Sequence, residues 1–204
     1  MNIVILDFGH GTRKYTKGKQ APDGSLYEGE WSREVGKRIA AGLRECGFEV
    51  FEIINTDEDV PLQKRCDAAN KIVREHPNDN VVFISVHINA APNPGWEDRA
   101  SGACVYVHPE ASEKSIKLAH CYYEYVKLFK LQGNRRVPED EVWRANFKVL
   151  RSTNCPAILT ENLFMTNHKE VKFLLSEEGK QTIENLHIAA VCKYFNVPCA
   201  VVTG

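Results

Sequence analysis

Three apolar runs in this chain each end on a residue able to do chemistry. Ile3-Val4-Ile5-Leu6 reads as a strand buried on both faces, and it stops at Asp7. His10 follows between Gly9 and Gly11, which let the backbone turn sharply and leave the imidazole uncrowded. Val81-Val82-Phe83-Ile84-Ser85-Val86 delivers His87, and Ala157-Ile158-Leu159-Thr160 delivers Glu161. Between these runs the spacing changes to that of helices. Trp31, Val35, Ile39 and Leu43 recur every fourth residue, predicting a helix that Glu28 opens and Gly47 stops. Phe48 to Ile54 alternates as a strand. Pro61 starts a helix whose buried face is Leu62, Cys66, Ala69, Ile72 and Val73.

Further on, Ala103 to His108 predicts a strand and Ser112 caps a helix through about Leu131. Phe147 to Leu150 reads as a short strand. Asn167 with Glu170 resembles a capping box, and helical spacing then runs to about Phe195 with a break near Glu177 to Gly179. Gly11 to Tyr27, with its Pro22-Asp23-Gly24 turn, and Ala90 to Ser101 read as rim loops of a site; Gln132 to Asp140 is a polar loop. Strands alternating with helices predict α/β architecture: a single three-layer domain over residues 1–204, with a mostly parallel central sheet, helices on both faces and a tail from residue 196. In such sheets ligands sit beyond the carboxyl ends of the strands, where His10, His87 and Glu161 are delivered.

Composition narrows the function classes. The formal net charge is −1 with acids and bases interspersed, which gives no electrostatic case for nucleic acid or an anionic membrane. No apolar stretch is long enough for membrane insertion. The N-terminus enters the first strand at once, so no signal peptide is read at this end. Seven cysteines occur with no C-x-x-C pair; they read as small buried hydrophobes and free thiols, not as a disulfide framework or zinc ligands.

Each candidate residue also has a bland reading. A single histidine is commonly structural, Ser85, His87 and Asn89 could form the polar face of an edge strand, and Glu28 suits any helix start. Glu161 is less ordinary, because a carboxylate at the end of an apolar run is partly desolvated and so perturbed in pKa. Together the four fit a known recipe. Catalytic zinc takes three protein ligands, two His and one Glu among them, and a separate carboxylate accepts the proton of water. The remaining histidines, His76, His108, His120, His168 and His187, have no such setting.

The motifs resemble those of the zinc-dependent N-acetylmuramoyl-L-alanine amidases, the family of bacterial cell-separation and sporulation amidases and many phage lysins. Asp7-Phe8-Gly9-His10-Gly11 is similar to the family's opening motif, with Phe8 where proline is usual. Glu28 stands at its helix-start glutamate, counted back from Gly47. Arg65 with Ala69-Asn70 matches an R-x-x-x-A-N helix. Phe83 to Ala90 resembles the second histidine motif, and Pro156 to Glu161, with Phe164 and Asn167, the glutamate strand. Thr160 and Asn162-Leu163 depart from the commoner Val and Gly neighbours.

The resemblance spans residues 3–195. It implies that His10, Glu28 and His87 hold one zinc ion, that Glu161 is the catalytic acid/base, and that the substrate is peptidoglycan. The bond cut would join the lactyl group of N-acetylmuramic acid to L-alanine of the stem peptide. Action on the cell wall, in the periplasm or outside the cell, is implied too. With no leader at this end, that fits a phage or prophage lysin made in the cytoplasm and released, or an exported protein whose leader has been trimmed. Two rivals stand beside this reading. A non-catalytic wall-binding module on the same fold would be favoured by loss of Glu161, which is present. A phosphate cradle at Gly9-His10-Gly11 would have to open a helix directly, whereas a long polar loop follows it.

Overall fold

The computed structural model describes residues 1–93 and 95–199. Its first apolar run is strand β1 (Asn2–Phe8), from which helix α1 (Glu28–Glu45) crosses to β2 (Glu49–Glu52). Helix α2 (Leu62–Glu75) leads into β3 (Asn80–Asn89). Then come β4 (Cys104–Val107), α3 (Glu113–Leu128), β5 (Trp143–Arg144), α4 (Lys148–Arg151), β6 (Ala157–Phe164), α5 (His168–Leu175) and α6 (Glu177–Phe195). The strands form one six-stranded sheet in the order β2-β1-β3-β6-β4-β5. Every neighbouring pair is parallel except β4 with β6. The expected mostly parallel sheet and both helical layers are therefore present.

Strand alternation divides the core in two. Val4, Leu6, Phe8, Val82, Ile84 and Val86 face a large apolar cluster that includes residues of α1, α3, α5 and α6. Ile3, Ile5, Val81, Phe83, Ala157 and Leu159 face a smaller one with Cys66 and Ala69 of α2 and Val149 and Leu150 of α4. Each fully buried Ile, Leu or Val contributes roughly 1.5–3 kcal/mol relative to exposure, so both faces stabilise the sheet. The thinner cover of the second face leaves room above the carboxyl ends of β1, β3 and β6.

The structure corrects several expected boundaries. Phe147 to Leu150 is not a strand: Phe147 precedes the helical turn α4, which sends both Val149 and Leu150 into one apolar cluster. A strand would point these neighbours to opposite faces. The edge strand at this side is β5, two residues long and too short to show a period. Helix α3 ends at Leu128, and Lys130 takes a left-handed φ of 58° that returns the chain towards the sheet. Asn167 caps α5 by accepting from the amides of Lys169 and Glu170, but the Glu170 carboxylate does not close the box. It accepts instead from the amides of Gly102 and Phe164, both at 2.7 Å. Strand β6 continues past Glu161 to Phe164, with irregular pairing between His87 and Asn89. Of the predicted tail, residues 200–204 lie outside the described residues. All seven cysteines are free, and no helix among the described residues is long and apolar enough to cross a membrane.

His187 shows what burial does to a histidine far from any exposed surface. It is fully buried in α6, where Nδ1–H donates to the Ile183 carbonyl at 2.8 Å and Nε2 faces the Thr160 hydroxyl at 3.0 Å. Burial lowers its pKa from 6.5 to about 4. Between these values the unfolded chain takes up the proton first, so stability falls as pH drops from 6.5 towards 4 and is not lost this way above 6.5. His187→Gln should remove about 2–3 kcal/mol from the loss in unfolding free energy between pH 7 and pH 4.5. Urea titrations of parent and variant at both pH values measure it, and equal acid losses would contradict a neutral buried imidazole.

Candidate metal centre and active site

Three side chains from separate elements meet beyond the sheet. Glu28 is the first residue of α1 and is buried; its amide donates to the Lys19 carbonyl at 3.0 Å. Its Oε1 accepts from the Ile88 amide at 3.1 Å and lies 2.9 Å from His87 Nδ1. Its Oε2 is 3.5 Å from His10 Nε2. One donor atom from each of His10, Glu28 and His87 lies within 4.8 Å of the others, a cluster that could hold a metal ion.

Glycine makes this closeness possible. A Cβ at Gly9 would stand 2.5 Å from His87 Nδ1, and one at Gly29 would stand 1.9 Å from the Gly11 carbonyl oxygen. His10 itself takes a left-handed φ of 56°, an unfavourable conformation for a side-chain-bearing residue. Arg33, one turn into α1, offsets it. Its guanidinium donates to the His10 carbonyl at 2.8 Å and the Gly29 carbonyl at 2.7 Å, and its Nε to the Thr56 carbonyl at 3.0 Å. The sequence reading missed Arg33, which a periodic helix pattern does not distinguish from any flank residue.

A buried chain of hydrogen bonds sets the tautomer of His87. Arg65 Nη1 donates to Asp7 Oδ1 at 2.9 Å, and the Ser85 hydroxyl donates to Asp7 Oδ2 at 2.6 Å. With its proton committed to Asp7, the Ser85 oxygen accepts from His87 Nε2–H across 3.0 Å. Nδ1 is then the nitrogen turned to Glu28 and the cluster: it donates to the Glu28 carboxylate here, and it is the one that could offer a lone pair to a metal. Asn162, which stands out in the sequence only as a departure from the family's usual neighbours, donates to the His87 carbonyl at 2.9 Å and accepts from the Tyr122 hydroxyl at 2.8 Å.

Glu161 sits directly across from His87 in the β3–β6 register. Burial raises its pKa to about 7; Glu28 pushes the same way, against the pull of His87. Its Oε2 is buried with no hydrogen-bond partner among the described residues. Burial lowers the pKa of His10. Burial pushes Glu28 up and His87 down, but their mutual hydrogen bond and charge reverse both, leaving Glu28 lowered and His87 raised. Two imidazoles and a carboxylate are a donor set that suits zinc, and the orphaned Glu161 oxygen calls for a polar group beside it. The residues fit such an ion. His10, His87 and Glu161 open onto a cavity of about 270 Å³, lined also by Lys19, Leu62, Phe147 and Leu159. A larger hollow of about 440 Å³, bounded by Asn2, His76 and Asn154, holds no comparable cluster.

All four residues singled out from sequence thus meet at one site. Residues 4–193 match the profile of the N-acetylmuramoyl-L-alanine amidase family. The amidase CwlM of Bacillus licheniformis is 25% identical over 203 residues, covering 95% of this chain and 69% of the relative. The endolysin of Bacillus phage SPP1 is 28% identical over 200 residues, covering 96% of this chain and 66% of the relative. The chain spans about two thirds of the length of these two relatives. The crystal structure of an N-acetylmuramoyl-L-alanine amidase from Clostridium difficile 630 has the same fold, with a TM-score of 0.81, 24% identity, and coverage of 100% of this chain and 98% of that one. With the match running from β1 into α6, the chain belongs to the N-acetylmuramoyl-L-alanine amidase family.

Proposed function

We propose that this chain is a single catalytic domain that hydrolyses the amide between the lactyl group of N-acetylmuramic acid and L-alanine of the peptidoglycan stem peptide. His10, Glu28 and His87 hold one zinc ion, and Glu161 is the general acid/base. The observation that carries the reading is the opposition of two unlike carboxylates. Glu28 is enclosed by two imidazoles and a backbone amide, whereas Glu161 keeps an unpartnered buried oxygen and a pKa of about 7. Glu28 has the environment of a ligand and Glu161 that of a base.

When bound, zinc supplies Lewis acidity that activates water and polarises the scissile carbonyl. Glu161 takes the proton of the attacking water and returns one to the leaving alanine nitrogen, otherwise a poor leaving group. A pKa near working pH suits both transfers. Asp7 and Ser85 keep the His87 proton on Nε2. Because the substrate is the cell wall, the site of action is the periplasm or the cell exterior.

Three measurements test this. Purified protein should carry about one zinc per chain, and His10→Ala or His87→Ala should reduce that to a small fraction by elemental analysis. Stoichiometric zinc in both variants would sink the ligand assignment. Glu161→Gln keeps the shape and removes the base, so turnover should fall by roughly 10²- to 10⁴-fold while zinc stays bound. Near-parental activity would make Glu161 structural. Digestion of peptidoglycan should free stem peptides with a new L-alanine amino terminus and leave the glycan intact. It should stop with a chelator and weaken in acid, where protonated histidines release metal. New reducing sugars without new alanine amines would overturn the amidase reading. Tight wall binding with zinc and no release would favour a binding module.

A further inference from the structure

Arg135 is a cation at the site edge whose partners are both neutral. It lies in the loop between α3 and β5 and is half-buried. Its Nη1 donates to Cys104 Sγ, and its Nη2 to the Tyr106 hydroxyl at 3.3 Å. The guanidinium carbon is 5.5 Å from the ring centre of Trp143 and 5.8 Å from that of Phe164, so two aromatic rings fix its place. Cys104 is the residue directly opposite Glu161 in the β4–β6 pairing, and Tyr106 is opposite Leu159. His87, Glu161 and Cys104 therefore form one row across three adjacent strands, and Arg135 continues it.

Neither contact neutralises this charge. Burial pushes the Cys104 thiol up to about 12, and burial also raises the Tyr106 phenol. Arg38, Arg44, Arg65 and Arg144, by contrast, each pair with a carboxylate. A half-buried guanidinium is costly to hold without an anion. It has five N–H donors in a planar fork that matches a carboxylate, and the two contacts use only some of them. The carboxylate whose charge it feels is Glu161, whose pKa it lowers. Glu161 is the proposed base and is not available as a permanent counter-ion.

We infer that Arg135 binds a carboxylate of the stem peptide and so selects acidic stems beside the scissile amide. This rests on the amidase reading. The glycan side of the substrate offers neutral acetamido and hydroxyl groups, whereas the peptide side carries free carboxylates, on its acidic residue and at its C terminus. A planar fork beside the row of His87 and Glu161 is suited to that side.

The test compares three matched muramoyl peptides: one with free carboxylates, one amidated on the acidic residue that follows L-alanine, and one amidated at the C terminus. Parent protein should cleave the free compound best. Arg135→Gln should lower kcat/KM for it at least ten-fold, mostly through KM, and change by less than two-fold the compound whose recognised carboxylate is masked. Arg135→Lys should fall between, because an ammonium keeps charge but not the fork. Which amidated compound becomes insensitive identifies the carboxylate. Equal losses on all three compounds would mean that Arg135 acts through Glu161 or the fold, and no loss would mean that it binds nothing; either overturns the inference.

Calorimetric titration of the same compounds into zinc-loaded Glu161→Gln protein, with and without Arg135→Gln, supplies a binding readout without turnover. If parent protein cleaves none of the compounds, the reaction reading fails, and the calorimetric ranking still decides the role of Arg135. Unchanged zinc content and thermal midpoint in Arg135→Gln exclude misfolding as the cause of any loss; if they change, the Arg135→Lys ranking across the three compounds decides instead.

Discussion

Arg65 is the side chain on which the geometry of the site depends. It heads the large side chains that are fully buried, a rare setting for a permanent cation. Its Nη1 binds Asp7 at 2.9 Å and the Phe8 carbonyl at 2.6 Å, its Nε binds the Val60 carbonyl at 2.7 Å, and its Nη2 binds Asp59 at 3.1 Å. One helical residue thus ties the first turn of α2 and the segment before it to the end of β1. Removing one member of such a buried pair costs roughly 3–5 kcal/mol, because the other charge is left uncompensated. Replacing the whole network with apolar residues can be neutral for stability. What apolar residues cannot do is pass on direction. Asp7 accepts from the Ser85 hydroxyl, Ser85 accepts from His87 Nε2–H, and Nδ1 is the nitrogen turned to Glu28. The ion pair is thus better understood as fixing one imidazole than as holding the fold.

The same sheet separates two carboxylates by environment. Glu28 approaches from the N-terminus of α1, where a negative charge is favoured by the unpaired amides and macrodipole, and two imidazoles add to that. Glu161 comes from the middle of an apolar strand and has no bonded donor on Oε2. One is lowered in pKa and the other raised to about 7, although both are glutamates of one site. Such a division gives two residues of one type opposite proton affinities within a single site.

Much of this was legible in the sequence because it follows from patterns that backbone geometry enforces. Parallel strands buried on both faces are long apolar runs, so the polar residues that break them, His10, His87 and Glu161, stood out, although β3 and β6 run on past the last two. Glu28 was visible as the start of a strong four-residue periodicity. Their convergence was not visible, since they are separated by tens of residues and only strand order brings them together. Short elements were not legible either. β5 is two residues long, and α4 is one turn whose two apolar residues look the same in either secondary structure. Arg33 and Asn162 act through backbone carbonyls, and a carbonyl leaves no mark in sequence.

The antiparallel strand β4 explains why the site has a second side. In a wholly parallel sheet only strand ends, and the loops after them, border the ligand. Because β4 runs against β6, it contributes its first residue there, Cys104 opposite Glu161. The rim segment before β4 is drawn to the same end, where the Glu97 amide bonds to the Thr166 carbonyl at 2.8 Å. The chain then descends β4, climbs back through α3, and brings the loop carrying Arg135 to that end before β5 descends again. Glu170 fastens both sides of this border, with one oxygen on the amide of Gly102 and the other on that of Phe164. One reversed strand thus extends the row of His87 and Glu161 by Cys104, and beyond it stands an arginine held by two aromatic rings.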